Sequence, residues 1–175
     1  MKRLEAMRDA GLPVTWGTVL VGWRGPGKHD RLVDAADVIA HAVDAIAAGD
    51  ASQPVATLAA VDPAESEEIA TTLAVLAQRE RSDLQREQRK WRALLLKETL
   101  DELPSKPLYA LLALTSFWEK FGFPEDGPHV VQGRGNQLSP ADYYSQRNYE
   151  VLLNAHRAWL QNELAELATT GSTIR

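Results

Sequence analysis

The chain has 175 residues, 45% of them hydrophobic and 25% charged, with a formal net charge of −5 and no cysteine. Disulfides and thiolate metal sites are therefore excluded, and the charge opposes a phosphate backbone while favouring basic partners. A domain of this size buries roughly 70% of the surface its unfolded chain exposes, so its core needs no covalent staples.

The N-terminus, Met1-Lys2-Arg3-Leu4-Glu5-Ala6, lacks the apolar run of a secretory signal. No window reaches the ~20 apolar residues that a membrane span needs. A cytoplasmic protein is the simplest expectation, with no membrane partner.

Helical spacing recurs from end to end, and strand alternation is nearly absent. A short helix is expected over 2–10 and ends at Gly11-Leu12-Pro13, closing an N-terminal segment over 1–13. Thr15 then caps a helix over 16–23, which stops at Arg24-Gly25-Pro26-Gly27. Asp30 opens a third, with Leu32, Ala35, Ala36, Ile39, Val43, Ile46 and Ala47 at inward spacing. Ser52 and Pro54 begin a fourth, turning Val55, Leu58 and Ala59 inward.

Asp62-Pro63-Ala64-Glu65 reads as a helix start, with a capping acid followed by proline at the first position. No glycine or proline follows until Pro104. One helix over that stretch would reach about 60 Å, too long for this domain. Ser82-Asp83-Leu84-Gln85 has the form of a capping box, so a break is expected near Arg81. Beyond it Leu84, Trp91, Leu94, Leu95, Leu100 and Leu103 face inward.

Ser105 and Pro107 open the next helix, with Leu108, Leu111, Leu112, Thr115, Trp118 and Phe121 on its apolar face. A loop without helical period follows over 122–138, and Ser139-Pro140 starts the last helix. Tyr149, Leu152, Leu153, His156, Leu160, Leu164 and Leu167 then form one stripe, before a frayed tail over 169–175. The expected architecture is all-α: one domain over 1–175, a bundle or array of about seven helices with one long loop.

Four residues come closest to a chemical constellation. Asp34, Asp37, His41 and Asp44 are spaced by three, four and three, which puts them on one helical face. Carboxylate oxygens completed by a histidine suit a hard divalent ion. One helix seldom supplies a whole site, however, and no second acidic motif matches it. A solvated acidic contact surface is the commoner outcome, so no metal and no cofactor are expected.

His156 lies in the apolar stripe near Trp159 and Glu163. Such a histidine can be a general base, and more often is a satisfied core residue. His29 and His129 fall in loops. The basic run from Arg79 to Arg92, interleaved with Glu80, Asp83 and Glu87, reads as a solvated helix face rather than a nucleic-acid contact. Trp91, Trp118 and Trp159 take inward positions. Trp16 and Trp23 flank a short helix beside a Gly/Pro turn, and Phe123 precedes a proline in the long loop. Aromatics there either anchor an interface or plug the end of a bundle. Glu125 and Asp126 add an acidic pair to the loop.

Several of these segments come in a familiar order: Thr15-Trp16, Gly22-Trp23-Arg24-Gly25, Ala40-His41-Ala42, and Lys90-Trp91 followed by Leu94-Leu95. The most specific is Trp118-Glu119-Lys120-Phe121-Gly122-Phe123-Pro124-Glu125-Asp126. Over most of 14–165 the chain resembles a bacterial family known mainly as a domain of unknown function, some members of which are regarded as immunity proteins of polymorphic-toxin systems. It departs from that pattern at Gly133-Arg134-Gly135-Asn136, where an apolar stretch with tyrosine and proline is expected.

The resemblance implies a non-catalytic protein that neutralises a cognate toxin by direct contact, and it offers no catalytic residues. Its partner would be a protein, a basic toxin domain, met by Asp34, Asp37, His41 and Asp44 with Glu125 and Asp126, and anchored by Trp23 and Phe123. The alternative is a small metal-dependent hydrolase built on Asp37 and His41, with His156 or Glu163 contributed by the last helix.

Overall fold

A computed structural model describes residues 2–134 and 137–169. The described residues form nine helices and no strand. They group into two compact units, Met1–Trp91 and Arg92–Arg175, whose border falls inside one helix.

The first unit holds α1 (Lys2–Asp9), α2 (Trp16–Arg24), α3 (Ala35–Ala47), α4 (Gln53–Ala60), α5 (Ser66–Arg79) and the start of α6 (Leu84–Asp101). Helix α2 is buried along almost its whole length, from Trp16 to Trp23. Its apolar side chains meet α5, while α3 packs on α4. Met7, Val19, Val38, Val55, Leu58, Ile69, Leu73 and Trp91 are shut off from solvent. Each such side chain contributes about 1.5–3 kcal/mol of transfer free energy.

Two features let α2 sit so deep. Gly22 has no room for a side chain: a Cβ there would lie 2.4 Å from Val33 Cγ2 and 2.5 Å from Trp91 Cζ2. At the other end, Glu80 Oε2 accepts from the first amides of the helix, Trp16 N at 2.9 Å and Gly17 N at 3.4 Å. A carboxylate at a helix N-terminus satisfies orphan donors and complements the dipole. Thr15 adds a reciprocal cap with Thr18, as expected for this start.

The second unit holds the rest of α6, then α7 (Pro107–Lys120), α8 (Pro140–Tyr143) and α9 (Gln146–Thr169). Helices α7 and α8 both pack on α9. The expected stripe of α9 is largely realised, with Leu152, His156, Leu160, Glu163 and Leu167 buried. The single last helix expected from Ser139 is two, because Tyr144 and Ser145 interrupt it. The expected tail lies outside the described residues, apart from Thr169, which closes α9.

Several boundaries and faces differ from the sequence expectation. Helix α3 begins at Ala35, not Asp30, because Leu32 N and Val33 N donate to Gly22 O and hold that segment extended. Its inward residues are Val38 and Ala42, while Val43 and Ile46 are exposed. Asp62-Pro63-Ala64 makes a turn, with Ala64 N on Asp62 Oδ1 at 2.9 Å, and α5 starts only at Ser66. The break near Arg81 is present, with Arg81 at φ 57°, but Asp83 rather than Ser82 takes the amides of Gln85 and Arg86. Leu84 on α6 and Leu108 and Leu112 on α7 point outward, and Leu114 and Phe117 are buried instead.

Candidate contact surfaces

The four residues placed on one face of the third helix do not form a free acidic row. Asp34 is the N-cap of α3, and its Oδ1 accepts from Asp37 N at 2.8 Å. Asp37 returns the bond, its Oδ2 accepting from Asp34 N at 3.3 Å. These two carboxylates hold the helix start.

His41 is half-buried, and Arg8 Nη2 donates to its Nδ1 at 3.3 Å. The Trp16 ring meets it edge-on, 4.7 Å between centroids. Burial pushes the His41 pKa below its ordinary value, Arg8 adds to that, and Asp44 opposes it. The site favours neutral imidazole with Nδ1 as acceptor. Asp44 is exposed.

Trp23 is not an exposed anchor. It is 4% exposed, and the Arg31 guanidinium lies 3.5 Å above its ring centroid. The stacked guanidinium covers one face of the buried indole. Trp16 is buried as well.

In the second unit the loop begins where α7 unwinds. Phe123 N reaches back to Trp118 O at 3.0 Å, with Gly122 at φ 74° and Phe123 at φ 53°. The left-handed pair turns the chain sharply off the helix axis. Phe123 is half-buried between the His129 ring at 5.3 Å and the Arg134 guanidinium at 5.7 Å. Glu125 stands exposed at the turn.

Asp126 is different. Arg92 grips it with both ends of its guanidinium, Nη1 to Oδ1 at 3.0 Å and Nη2 to Oδ2 at 2.5 Å. Arg92 Nη2 also reaches Glu163 Oε1 at 3.3 Å. The side chains of Arg92 and Glu163 are each 7% exposed, and that of Asp126 is 52% exposed. A bidentate fork between a buried guanidinium and a carboxylate is among the stronger polar contacts a protein makes. Trp159 Nε1 donates to the backbone oxygen of Asp126 at 2.6 Å, and Arg92 lies 5.0 Å over the Trp159 ring. Tyr143 OH donates to Val130 O at 2.7 Å. The loop is thus held by side chains of α6, α8 and α9.

Beneath it, Trp118 Nε1 donates to His156 Nε2 at 2.8 Å, and His156 Nδ1 donates to Leu152 O at 2.6 Å. An indole only donates, so Nε2 must be unprotonated and the ring neutral. Burial pushes the pKa of His156 down, against a raising effect of the Leu152 bond and with His129 adding to the decrease. His156 is a satisfied core residue, the commoner of the two outcomes expected for it.

Sequence reasoning put the charges of Arg79–Arg92 on a solvated face, and three of them are not there. Glu87, Lys90 and Arg92 are 3%, 1% and 6% exposed. Lys90 Nζ donates to Glu87 Oε1 at 2.9 Å and to Pro13 O at 2.9 Å, and the Thr18 hydroxyl donates to Glu87 Oε2. Spacing alone shows the Glu87–Lys90 pairing at i, i+3, but a solvated pair and a buried one have the same spacing. What distinguishes them here is the neighbour, Trp91, and the small residue Gly17 opposite Glu87.

Among the described residues no three histidine, aspartate or glutamate side chains converge as a metal group. No described helix is long and apolar enough to cross a membrane. The family model for uncharacterised proteins conserved in bacteria (DUF2247) matches residues 4–164, and the chain belongs to that family. No curated relative and no solved structure matches it.

Proposed function

We propose that this member of the family is a non-catalytic contact protein whose loop over 122–134 presents the binding face, and that it acts as an immunity protein against a cognate toxin. The observation that carries the reading is the clasp on Asp126: a long irregular segment is held by a buried arginine fork and an indole. A segment already ordered loses less conformational entropy when a partner docks, so more of its contact energy becomes affinity.

The chemistry of the face fits a basic partner. Glu125 is exposed, the Asp126 side chain is half-exposed, and the chain carries a net charge of −5. Complementary charge speeds encounter and rejects wrong partners. Phe123 is the aromatic beside these acids. Of the residues on α3, Asp44 remains a candidate contact, whereas Asp34 and Asp37 serve the helix start.

The test is recovery of the tagged chain from its own cells followed by mass spectrometry. A stoichiometric protein partner that kills cells lacking this chain supports the reading. Recovery of the chain without a partner, or with one that is harmless in such cells, counts against it.

A further inference from the structure

Side-chain bonds from α6, α8 and α9 tie the loop down, and this has a mechanical consequence. We propose that residues 122–131 form a strap that lifts as a unit from the Trp118–His156 pair, with the Arg92–Asp126 fork as its latch. The strap's opening is an equilibrium of the chain by itself, whatever the loop binds.

The backbone bonds of the segment are local. Gly127 N donates to Pro124 O at 3.0 Å within the strap, and Phe123 N closes the end of α7. Pro124 and Pro128 have no amide hydrogen to give. Attachments to the rest of the unit include those of the Asp126 carboxylate, the Asp126 backbone oxygen and the Val130 oxygen. Irregular segments clasped onto helices by side chains can open at a free energy well below that of global unfolding.

The closed strap covers Trp118 closely. A Cβ on Gly127 would lie 2.9 Å from Trp118 Cζ3, and the His129 ring sits 5.6 Å from the Trp118 ring. Beside this contact lies a cavity of about 10 Å³ lined by Trp118, His129, Tyr143 and His156. Closure carries a cost: His129 Nδ1 and Arg92 Nε are buried with no hydrogen-bond partner. Lifting the strap gives both nitrogens access to water, which offsets part of the lost attachment. What it uncovers is a floor of indole, phenol and imidazole.

Three indole hydrogens report on this separately in the full chain. That of Trp159 is bonded to the strap, that of Trp118 to His156 beneath it, and that of Trp91 to Thr18 O at 2.8 Å in the first unit. Their exchange with solvent deuterium can be followed by NMR in the wild type, Asp126→Asn and Asp126→Ala, with the amide of Leu160 as a marker of α9. Loss of the fork is expected to speed the Trp159 and Trp118 indoles about tenfold, leaving Trp91 and Leu160 unchanged. The asparagine variant, which retains one acceptor, should fall between. Unchanged indole rates in both variants would overturn the proposal. So would a parallel rise at Leu160, because the strap would then open only with its whole unit.

Discussion

The Trp118 indole donates to His156 Nε2, and that single bond fixes which nitrogen of the imidazole carries the proton. Protonating the ring would turn the acceptor into a second donor facing the indole. Because burial lowers the folded-state pKa below the ordinary 6.5, the unfolded chain binds a proton more readily than the folded one. Stability from this ring is complete above about pH 6.5 and is lost as pH falls toward the lower folded pKa. His156→Gln retains a hydrogen-bond acceptor but cannot titrate. Urea titrations between pH 7 and 5 should show a shallower acid decline for the variant, because the wild-type ring takes up a proton on unfolding and glutamine does not. Equal slopes would mean that His156 is not held neutral.

The buried Glu87–Lys90 pair predicts an asymmetry between single and double substitutions. Lys90→Met leaves Glu87 charged in the core with the Thr18 hydroxyl, and should cost about 3–5 kcal/mol. Glu87→Leu should be similarly severe, since it strands the ammonium. Combining the two is expected to cost less than the sum of the singles, with the excess read from a double-mutant cycle in urea. Additive losses would place both groups in solvent.

Gly22 is required by contact rather than by backbone conformation. Gly22→Ala puts a methyl inside the radii of Val33 and Trp91. The expected cost is about 1–3 kcal/mol, accompanied by a change in Trp91 fluorescence. Gly11 offers a contrast, because its φ of 75° and open surroundings make strain the whole effect there. Unperturbed fluorescence in Gly22→Ala would argue against the close approach of Trp91.

At the start of α3, charge and capping can be separated. Asp34→Ala should destabilise by about 1 kcal/mol, while Asp34→Asn retains a capping oxygen and should lose only a few tenths. Asp44→Ala, on an exposed position, should leave the thermal midpoint unchanged. A binding loss on Asp34→Ala therefore indicates a contact only if Asp34→Asn shares it.

How far the sequence led depends on whether a feature is local. The cap at Thr15, the break around Arg81, the loop after Phe121 and the stripe of α9 are written in nearby residues, and the structure has them. Helix faces were harder to read in Ala- and Leu-rich stretches. Val43, Leu108 and Leu112 have inward-looking spacing, yet smaller or neighbouring residues take the core side. The clasp was out of reach because Arg92, Asp126 and Glu163 are separated by 34 and 71 positions from the arginine. A charge run around Arg92 looks solvated until the partners that bury it are known. Asp34 shows the opposite error, where helical spacing from Asp37 masked a cap that serves the backbone.

The most direct test of the central claim is the affinity of the recovered partner for the wild-type chain and for Phe123→Ala and Glu125→Ala, measured by calorimetry. Neither substitution touches the Arg92 fork, so both variants should fold, Glu125→Ala with an unchanged thermal midpoint and Phe123→Ala, which loses packing against His129, with a lowered one. If the loop is the contact face, each should weaken binding by about tenfold or more, and the Glu125 variant should lose much of its salt dependence. Wild-type affinity in both variants, with the fold intact, would contradict the account and move the contact away from the loop.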